Sequence, residues 1–146
     1  MFKRFLVPLD GSELAEKALE TAQAMVQEGC EVHLLQVVRL PLPVITPEIG
    51  MSVPMIDMDE LTDEAKAYLE NKATDLRAAG FHVTTTVIED DNVADAIVAY
   101  AQKIAADLIV KSTHGRGGLS RLVFGSVAEA VLRKAPCPIL VIRTQE

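Results

Sequence analysis

The sequence is poor in aromatic residues and basic charge, and each deficit excludes a class of protein. It has no tryptophan, and aromatic residues make up only 4% of its 146 residues, so its core must be aliphatic. Fourteen lysines and arginines stand against 21 aspartates and glutamates, which gives a formal charge of −7 at pH 7. An acidic chain without a basic cluster is not expected to bind nucleic acid or an anionic membrane.

Cysteines and long apolar runs are also scarce. Cys30 and Cys137 are far apart and form no C-x-x-C pair, so we expect reduced thiols rather than a disulfide framework or a zinc site. The apolar run near the N-terminus is broken by Pro8 and Asp10, which makes it too short for a signal peptide or a membrane span. We therefore expect a cytoplasmic protein with a single domain over residues 1–146.

Apolar runs typical of strands alternate with stretches of helical periodicity. The predicted strands cover residues 5–9, 32–38, 81–87, 106–110 and 138–142. Four helices lie between them. The predicted helix signals are Asp10 and Glu13 at the start of the first, Gly29 at its end, Leu61 and Gly80 around the second, Asn92 before the third, and Ser126 and Glu129 at the start of the fourth. This order predicts an α/β fold with a parallel sheet, helices on both faces, and ligand binding at the carboxyl ends of the strands.

The connection over residues 39–57 is unusually long. It contains four prolines and many apolar residues, and it shows no clear period. Connections of this length in compact domains are usually functional or disordered, and its apolar content argues against disorder. Two interpretations remain open, a lid over a binding site and a surface that is buried in a dimer.

Residues 112–127, STHGRGGLSRLVFGSV, hold four of the eight glycines. They match neither a P-loop nor G-x-G-x-x-G, which fails at Ser120. Gly125 opens a helix whose free amides and dipole favour negative charge, and the glycines at 115, 117 and 118 allow the preceding loop to turn its amides inward. Arg116 and Arg121 add positive charge. The stretch therefore predicts a phosphate-binding site, against the alternative of an ordinary loop before a capped helix.

The same stretch resembles the signature of the universal stress protein family, G-x-x-G-x9-G-[ST]. Ser112 stands for the first glycine, and Gly115, Gly125 and Ser126 match the rest of the pattern. The opening VPLDGSE and the closing SVAEAVLRKAPCPILVIR are similar to the family too, so the resemblance covers essentially the whole chain. It implies a Rossmann-like five-stranded sheet and ATP binding, commonly with a divalent cation such as Mg²⁺ or Mn²⁺ at the phosphates.

The resemblance also implies which residues contact the nucleotide. They are Pro8, Leu9 and Asp10 beside the adenosine, Val37 presenting its backbone to adenine, Gly115, Arg116 and Gly118 on one side of the phosphates, and Gly125, Ser126 and Val127 on the other. His114 falls inside the motif, where we expect a hydrogen-bonding role. The chain departs from the family at Ser112, whose hydroxyl can contact the ribose, and at Lys111, which replaces an apolar residue beside the base and can point to solvent or phosphate. No catalytic residue or protein metal ligand is predicted.

The preferred interpretation is an ATP-binding sensor or adaptor rather than an enzyme. In a sheet ordered 3-2-1-4-5, the apolar strand near residues 139–142 lies at the edge, so we expect a homodimer through this last strand. A slow ATPase is one alternative. The other is a phosphoryl-accepting receiver domain, for which Asp10 would act with the acidic residues 89–91 after the third strand.

Overall fold

A computed structural model of the protein describes residues 1–40, 43–52, 57–113 and 125–143. Seven strands and four helices are described. They are β1 (Arg4–Pro8), α1 (Glu13–Met25), β2 (Glu31–Val38), β3 (Val44–Thr46), β4 (Gly50–Ser52), α2 (Met58–Ala78), β5 (His82–Glu89), α3 (Val93–Ile104), β6 (Leu108–Ser112), α4 (Ser126–Lys134) and β7 (Ile139–Ile142).

The main sheet has five strands, all parallel, in the order β5-β2-β1-β6-β7. Because β5, β6 and β7 correspond to the third, fourth and fifth predicted strands, the predicted order 3-2-1-4-5 is confirmed. So is the α/β fold class, since helices cover both faces of the sheet.

Alternate residues of each strand enter two different cores. Phe5, Val7 and Leu34 pack with α1 and α2, whereas Leu6, Leu35 and Ile109 pack with α3 and α4. All six side chains are buried. Strands that are covered on both faces read as continuous apolar runs, which is why the sequence predicted them well.

The two ends of α1 differ from prediction. Ser12, not Asp10, is the N-cap, and its Oγ accepts a hydrogen bond from the Ala15 amide at 3.2 Å. Asp10 instead accepts from the Ser12 amide through Oδ1 at 2.9 Å. At the other end, Val26 is the C-cap, and Gly29 lies in the following turn with φ of +89°. The assignment of Gly29 as the residue that ends α1 is therefore wrong.

The start of α4 also differs from prediction. Gly125 is the N-cap and offers no side chain, while Ser126 is the first helical residue. The Glu129 carboxylate pairs with Arg133 at 2.6 Å, so the predicted capping box is wrong. Two other signals are confirmed, because Asn92 caps α3 and Gly80, with φ of +96°, follows the C-cap of α2; that helix begins at Met58, however, and not at the predicted Leu61.

The connection between β2 and α2 contains an antiparallel hairpin that was not predicted. It is formed by β3 and β4, with Ile45 opposite Met51. Ile45, Ile49 and Met51 are more than 70% exposed. The correction to the sequence interpretation is that this segment has secondary structure of its own; a role as lid or interface stays a prediction.

Two expectations from composition concern cysteines and membrane spans. Cys30 is buried and Cys137 is half-buried, and both are unpaired. Within the described ranges, no helix combines the length and the apolar character needed to cross a bilayer.

Candidate functional site

The backbone ladder between β1 and β6 ends before either strand does, and the region beyond its last pair, between the carboxyl ends of the two strands, is called the cleft below. Their pairing covers only Phe5 with Leu108 and Leu6 with Ile109. The Leu9 amide donates to the Leu35 carbonyl on β2 at 2.8 Å, so by alternation the backbone groups of Pro8 point towards β6. Pro8 has no N–H and cannot extend the ladder. The proline at the end of β1 therefore ends this pairing. It does so at the switch point between β1 and β6, where the strand order of the sheet changes direction.

One wall of the cleft follows β1 and β2. Pro8 and Leu9 are buried, whereas Asp10 is half-buried directly after them. β2 runs on to Val38, three residues past its last backbone bond with the β1 segment, which is the bond at Leu35. The backbone of Val37 therefore borders the open end of β1.

The other wall is the end of β6. Ser112 and Thr113 are 2% and 4% exposed, and Lys111 is half-buried. Burial lowers the pKa of the Lys111 ammonium, and the Asp10 carboxylate opposes that shift. The Asp10 carboxylate is therefore near enough to Lys111 to favour its charged form.

Thr113 fixes the start of α4 beside β6. Its amide donates to the Ile142 carbonyl at 3.0 Å, and its carbonyl accepts from the Gly125 amide at 2.8 Å. The N-termini of α1, α2 and α3 are capped by side chains of Ser12, Asp57 and Asn92, but Gly125 supplies none. The first-turn amides of α4 and their dipole are thus held at the rim of the cleft, where they favour an anion.

The comparisons with known proteins agree with this architecture. The model of the universal stress protein family matches residues 1–143. The chain belongs to the universal stress protein family.

Several relatives match over most or all of their length. Universal stress protein MJ0531 of Methanocaldococcus jannaschii is 33% identical over 98% of this chain and 83% of its own. YxiE of Bacillus subtilis is 30% identical over 98% and 100%. The solved structure of MJ0577, from Methanocaldococcus jannaschii, has a TM-score of 0.85 and 32% identity, and the match covers 100% of this chain and 99% of that one.

A more distant structure is a universal stress protein in complex with cAMP. It has a TM-score of 0.69 and 20% identity over 99% of this chain and 98% of the other. At that identity the likeness shows the fold alone.

Most of the predicted nucleotide-contacting residues lie at this carboxyl end of the sheet. Those that the structure describes are Pro8, Leu9, Asp10, Val37, Lys111, Ser112, Gly125, Ser126 and Val127. His114, Gly115, Arg116 and Gly118 lie outside the described residues. The contacts of all these residues with a nucleotide stay predictions.

Sequence reasoning missed two residues at this edge. Thr113 acts through its backbone, which no side-chain pattern reveals. Gln36 lies near the carboxyl end of β2, and its buried Oε1 has no hydrogen-bond partner among the residues that the structure describes. Its place between two apolar pairs, in LLQVV, was the signal that could have found it.

The acidic residues do not form a receiver-like cluster. Glu89 is the last residue of β5, and Asp90 and Asp91 follow it. β2 lies between β5 and β1, so two strand spacings, roughly 10 Å, separate these three residues from Asp10. The Glu89 carboxylate accepts from Thr62 at 3.0 Å, and that of Asp90 accepts from the Asn92 amide at 2.8 Å. In the described part of the chain, no three His, Cys, Asp or Glu side chains are grouped to hold a metal ion.

Proposed function

We propose that this universal stress protein binds ATP in the cleft between β1 and β6 and acts as a nucleotide-dependent sensor or adaptor in the stress response. The observation that carries the proposal is the opening of the β1–β6 ladder at Pro8, with the uncapped N-terminus of α4 at the same rim. Ligands of open α/β sheets bind at such points, outside the carboxyl ends of the strands.

The adenosine half is assigned to the β1–β2 wall. Pro8 and Leu9, both buried at the end of β1, are proposed to form the floor beside the base, and Val37 can offer backbone groups to its polar edge. Asp10 is half-buried at the end of this wall, where its carboxylate can accept hydrogen bonds from ribose hydroxyls or the adenine amino group. Ser112, across the cleft, is proposed to contact the ribose.

The phosphate half is assigned to α4 and the segment before it. Gly125 has no Cβ to keep phosphate oxygens away from the amides of Ser126 and Val127. We further propose that His114, Gly115, Arg116 and Gly118 complete this half. A divalent cation, Mg²⁺ or Mn²⁺, would be held by the phosphates, since no metal ligand from the protein is assigned.

The proposal favours a binding module over an enzyme. No catalytic base is assigned, and a slow ATPase remains the second candidate; phosphate release by the purified protein measures it directly. We also propose a homodimer through β7, and a cytoplasmic location, which the unpaired thiols of Cys30 and Cys137 support.

A charged cap at α4 tests the site. Gly125 has φ of −68°, which any residue can adopt, so Gly125→Asp introduces no strain from φ. The new carboxylate should cap α4 by accepting hydrogen bonds from its first-turn amides, which would then be unavailable to the phosphates. We expect ATP affinity, measured by calorimetry, to fall about tenfold or more while the fold is retained.

Asn92→Asp is the matched control, because it adds the same charge to the cap of α3. We expect it to leave ATP affinity nearly unchanged. A folded Gly125→Asp variant that binds ATP like the parent would show that the phosphates are not held at α4.

A further inference from the structure

Lys111 is a half-buried cation for which the described part of the chain supplies no hydrogen-bond or ion-pair partner. Two other lysines do form ion pairs, Lys72 with Glu16 and Lys134 with Asp95. Taking an ammonium group out of water without an acceptor is unfavourable, so an acceptor that arrives with a ligand would explain this arrangement.

The side chain of Lys111 lies on the α4 face of the sheet. Ile109 packs in the same core as Val127 and Val131 of α4, and alternate residues of a strand share a face. Lys111 is two residues beyond Ile109, and Val141 of β7 is its register partner. The Lys111 ammonium and the uncapped first turn of α4 therefore lie on the same face of the sheet, at the carboxyl ends of its strands.

The Lys111 ammonium and the uncapped first turn of α4 both favour an anion, and neither supplies the negative charge that would balance the other. Asp10 raises the pKa of Lys111 from across the cleft, which opposes the effect of burial, but no ion pair joins the two among the described contacts. The wall formed by β6 and α4 is therefore the positive side of the cleft, and the wall that carries Asp10 is the negative side.

We propose that Lys111 binds the phosphate chain of the nucleotide directly, so that affinity increases with the number of phosphates and does not require a divalent cation. This inference rests on the proposed function, because it assigns the ligand's phosphates to the cleft. An ammonium donates charge-assisted hydrogen bonds to phosphate oxygens and compensates part of the charge that a metal ion would otherwise balance.

The test measures the affinities of ATP, ADP and AMP by calorimetry in EDTA, for the parent and three variants. Lys111→Met keeps the length of the side chain and removes its charge, whereas Lys111→Arg keeps the charge. The control, Lys103→Met, removes an exposed lysine in the last turn of α3, which lies near the amino end of β6 and so at the opposite end of that strand from Lys111.

We expect the parent and Lys103→Met to bind ATP in EDTA, with affinity falling from ATP to ADP to AMP. Lys111→Met should lose about tenfold or more in ATP affinity, and its preference for ATP over AMP should be clearly weaker than that of the parent. Lys111→Arg should retain most of the preference for ATP.

Thermal unfolding gives a second measurement that does not depend on added nucleotide. Because Lys111→Met removes a half-buried cation that no described residue compensates by direct contact, we expect the ligand-free variant to melt at a higher temperature than the parent, by roughly 2 to 4 °C. ATP should then raise the melting temperature of this variant less than it raises that of the parent.

Three outcomes separate the two proposals. A parent that binds ATP only when Mg²⁺ is present, or a Lys111→Met variant that keeps the full preference for ATP, overturns the role of Lys111 and leaves ATP binding standing. A parent that binds no adenine nucleotide, with or without Mg²⁺, overturns the proposed function and this inference with it.

Discussion

At the residue scale, Asp10 combines a local hydrogen bond with a negative charge that favours the charged form of Lys111. Its Oδ1 accepts from the Ser12 amide and shapes the turn that leads into α1. The cap of that helix is the separate side chain of Ser12. We therefore expect Asp10 to affect mainly the proposed nucleotide binding, and Ser12 mainly the stability of the fold.

Substitutions at these two positions should separate the two properties. Asp10→Asn keeps an oxygen that can accept from Ser12 but removes the charge, so we expect ATP affinity to fall several-fold, up to about tenfold, with little change in the free energy of unfolding. Ser12→Ala removes the cap and should lower that free energy by about 1 kcal/mol without changing ATP affinity. Calorimetry and urea unfolding on both variants measure this.

The opposite pattern would contradict the assignment. If Asp10→Asn changes stability alone, the carboxylate serves the turn and not the nucleotide. Asp10→Ala then reports how much the bond to the Ser12 amide contributes.

At the scale of elements, α1 and α2 are joined by a polar cluster above the first core. The Glu16 carboxylate accepts from the Tyr68 hydroxyl at 2.8 Å and pairs with the Lys72 ammonium at 2.8 Å. The Lys72 ammonium also lies 5.7 Å from the centre of the Tyr68 ring. The hydrogen bonds from Lys72 and Tyr68 lower the pKa of Glu16 below its usual value.

This cluster makes stability depend on pH in the acidic range. Because the pKa of Glu16 is lower in the folded state, its contribution is present above the unfolded pKa and is lost as pH falls through the folded value. We expect Glu16→Gln to lower the free energy of unfolding by about 1 kcal/mol at pH 7. The difference from the parent should shrink as the pH is lowered from about 4.5.

Urea unfolding of parent and variant between pH 3 and 7 measures this difference. Glu20→Gln, on an exposed position of the same helix, is the control and should show a much smaller difference. A difference at Glu16 that is constant across this range would mean that the cluster stabilises through packing rather than through charge.

The sequence predicted the interiors of these elements better than their ends. Buried strands and helix faces follow from apolar periodicity, but Asp10 and Ser12 are both good caps, and Ser126 fits the cap pattern one residue beyond the true cap, Gly125. The strands of the hairpin, β3 and β4, have three residues each, too few to show an alternation. At the site, the role of Thr113 depends on backbone bonds that only the folded chain defines.

At the scale of the whole molecule, the sheet has two edges of different character. β5 carries His82, three threonines and Glu89, and the Val83 carbonyl accepts from Arg77 at 3.0 Å. β7 consists only of Ile, Leu and Val, all partly exposed. An apolar edge strand that is left open is an aggregation hazard, so β7 is the edge that a second copy would be expected to cover.

The hydrogen bonds of β7 show which of its residues point outwards. The carbonyls of Pro138 and Ile142 accept from Ile109 and Thr113 of the β6 segment. By alternation, the backbone groups of Ile139 and Val141 point away from β6, towards the space that a second copy would occupy. Two copies that pair antiparallel through β7 about a two-fold axis would satisfy these groups and close the assembly.

Val141→Pro tests this dimer without breaking the ladder between β6 and β7, because it removes only an outward-pointing N–H. We expect the parent to sediment as a dimer at micromolar concentration and Val141→Pro to sediment as a folded monomer. Val87→Pro is the matched control, since by the same alternation the amide of Val87 points outwards from the opposite edge strand, β5, and this variant should remain dimeric. A monomeric parent contradicts the proposal. A Val141→Pro variant that stays dimeric places the interface elsewhere, with the exposed apolar side chains of the β3–β4 hairpin as the next surface to test.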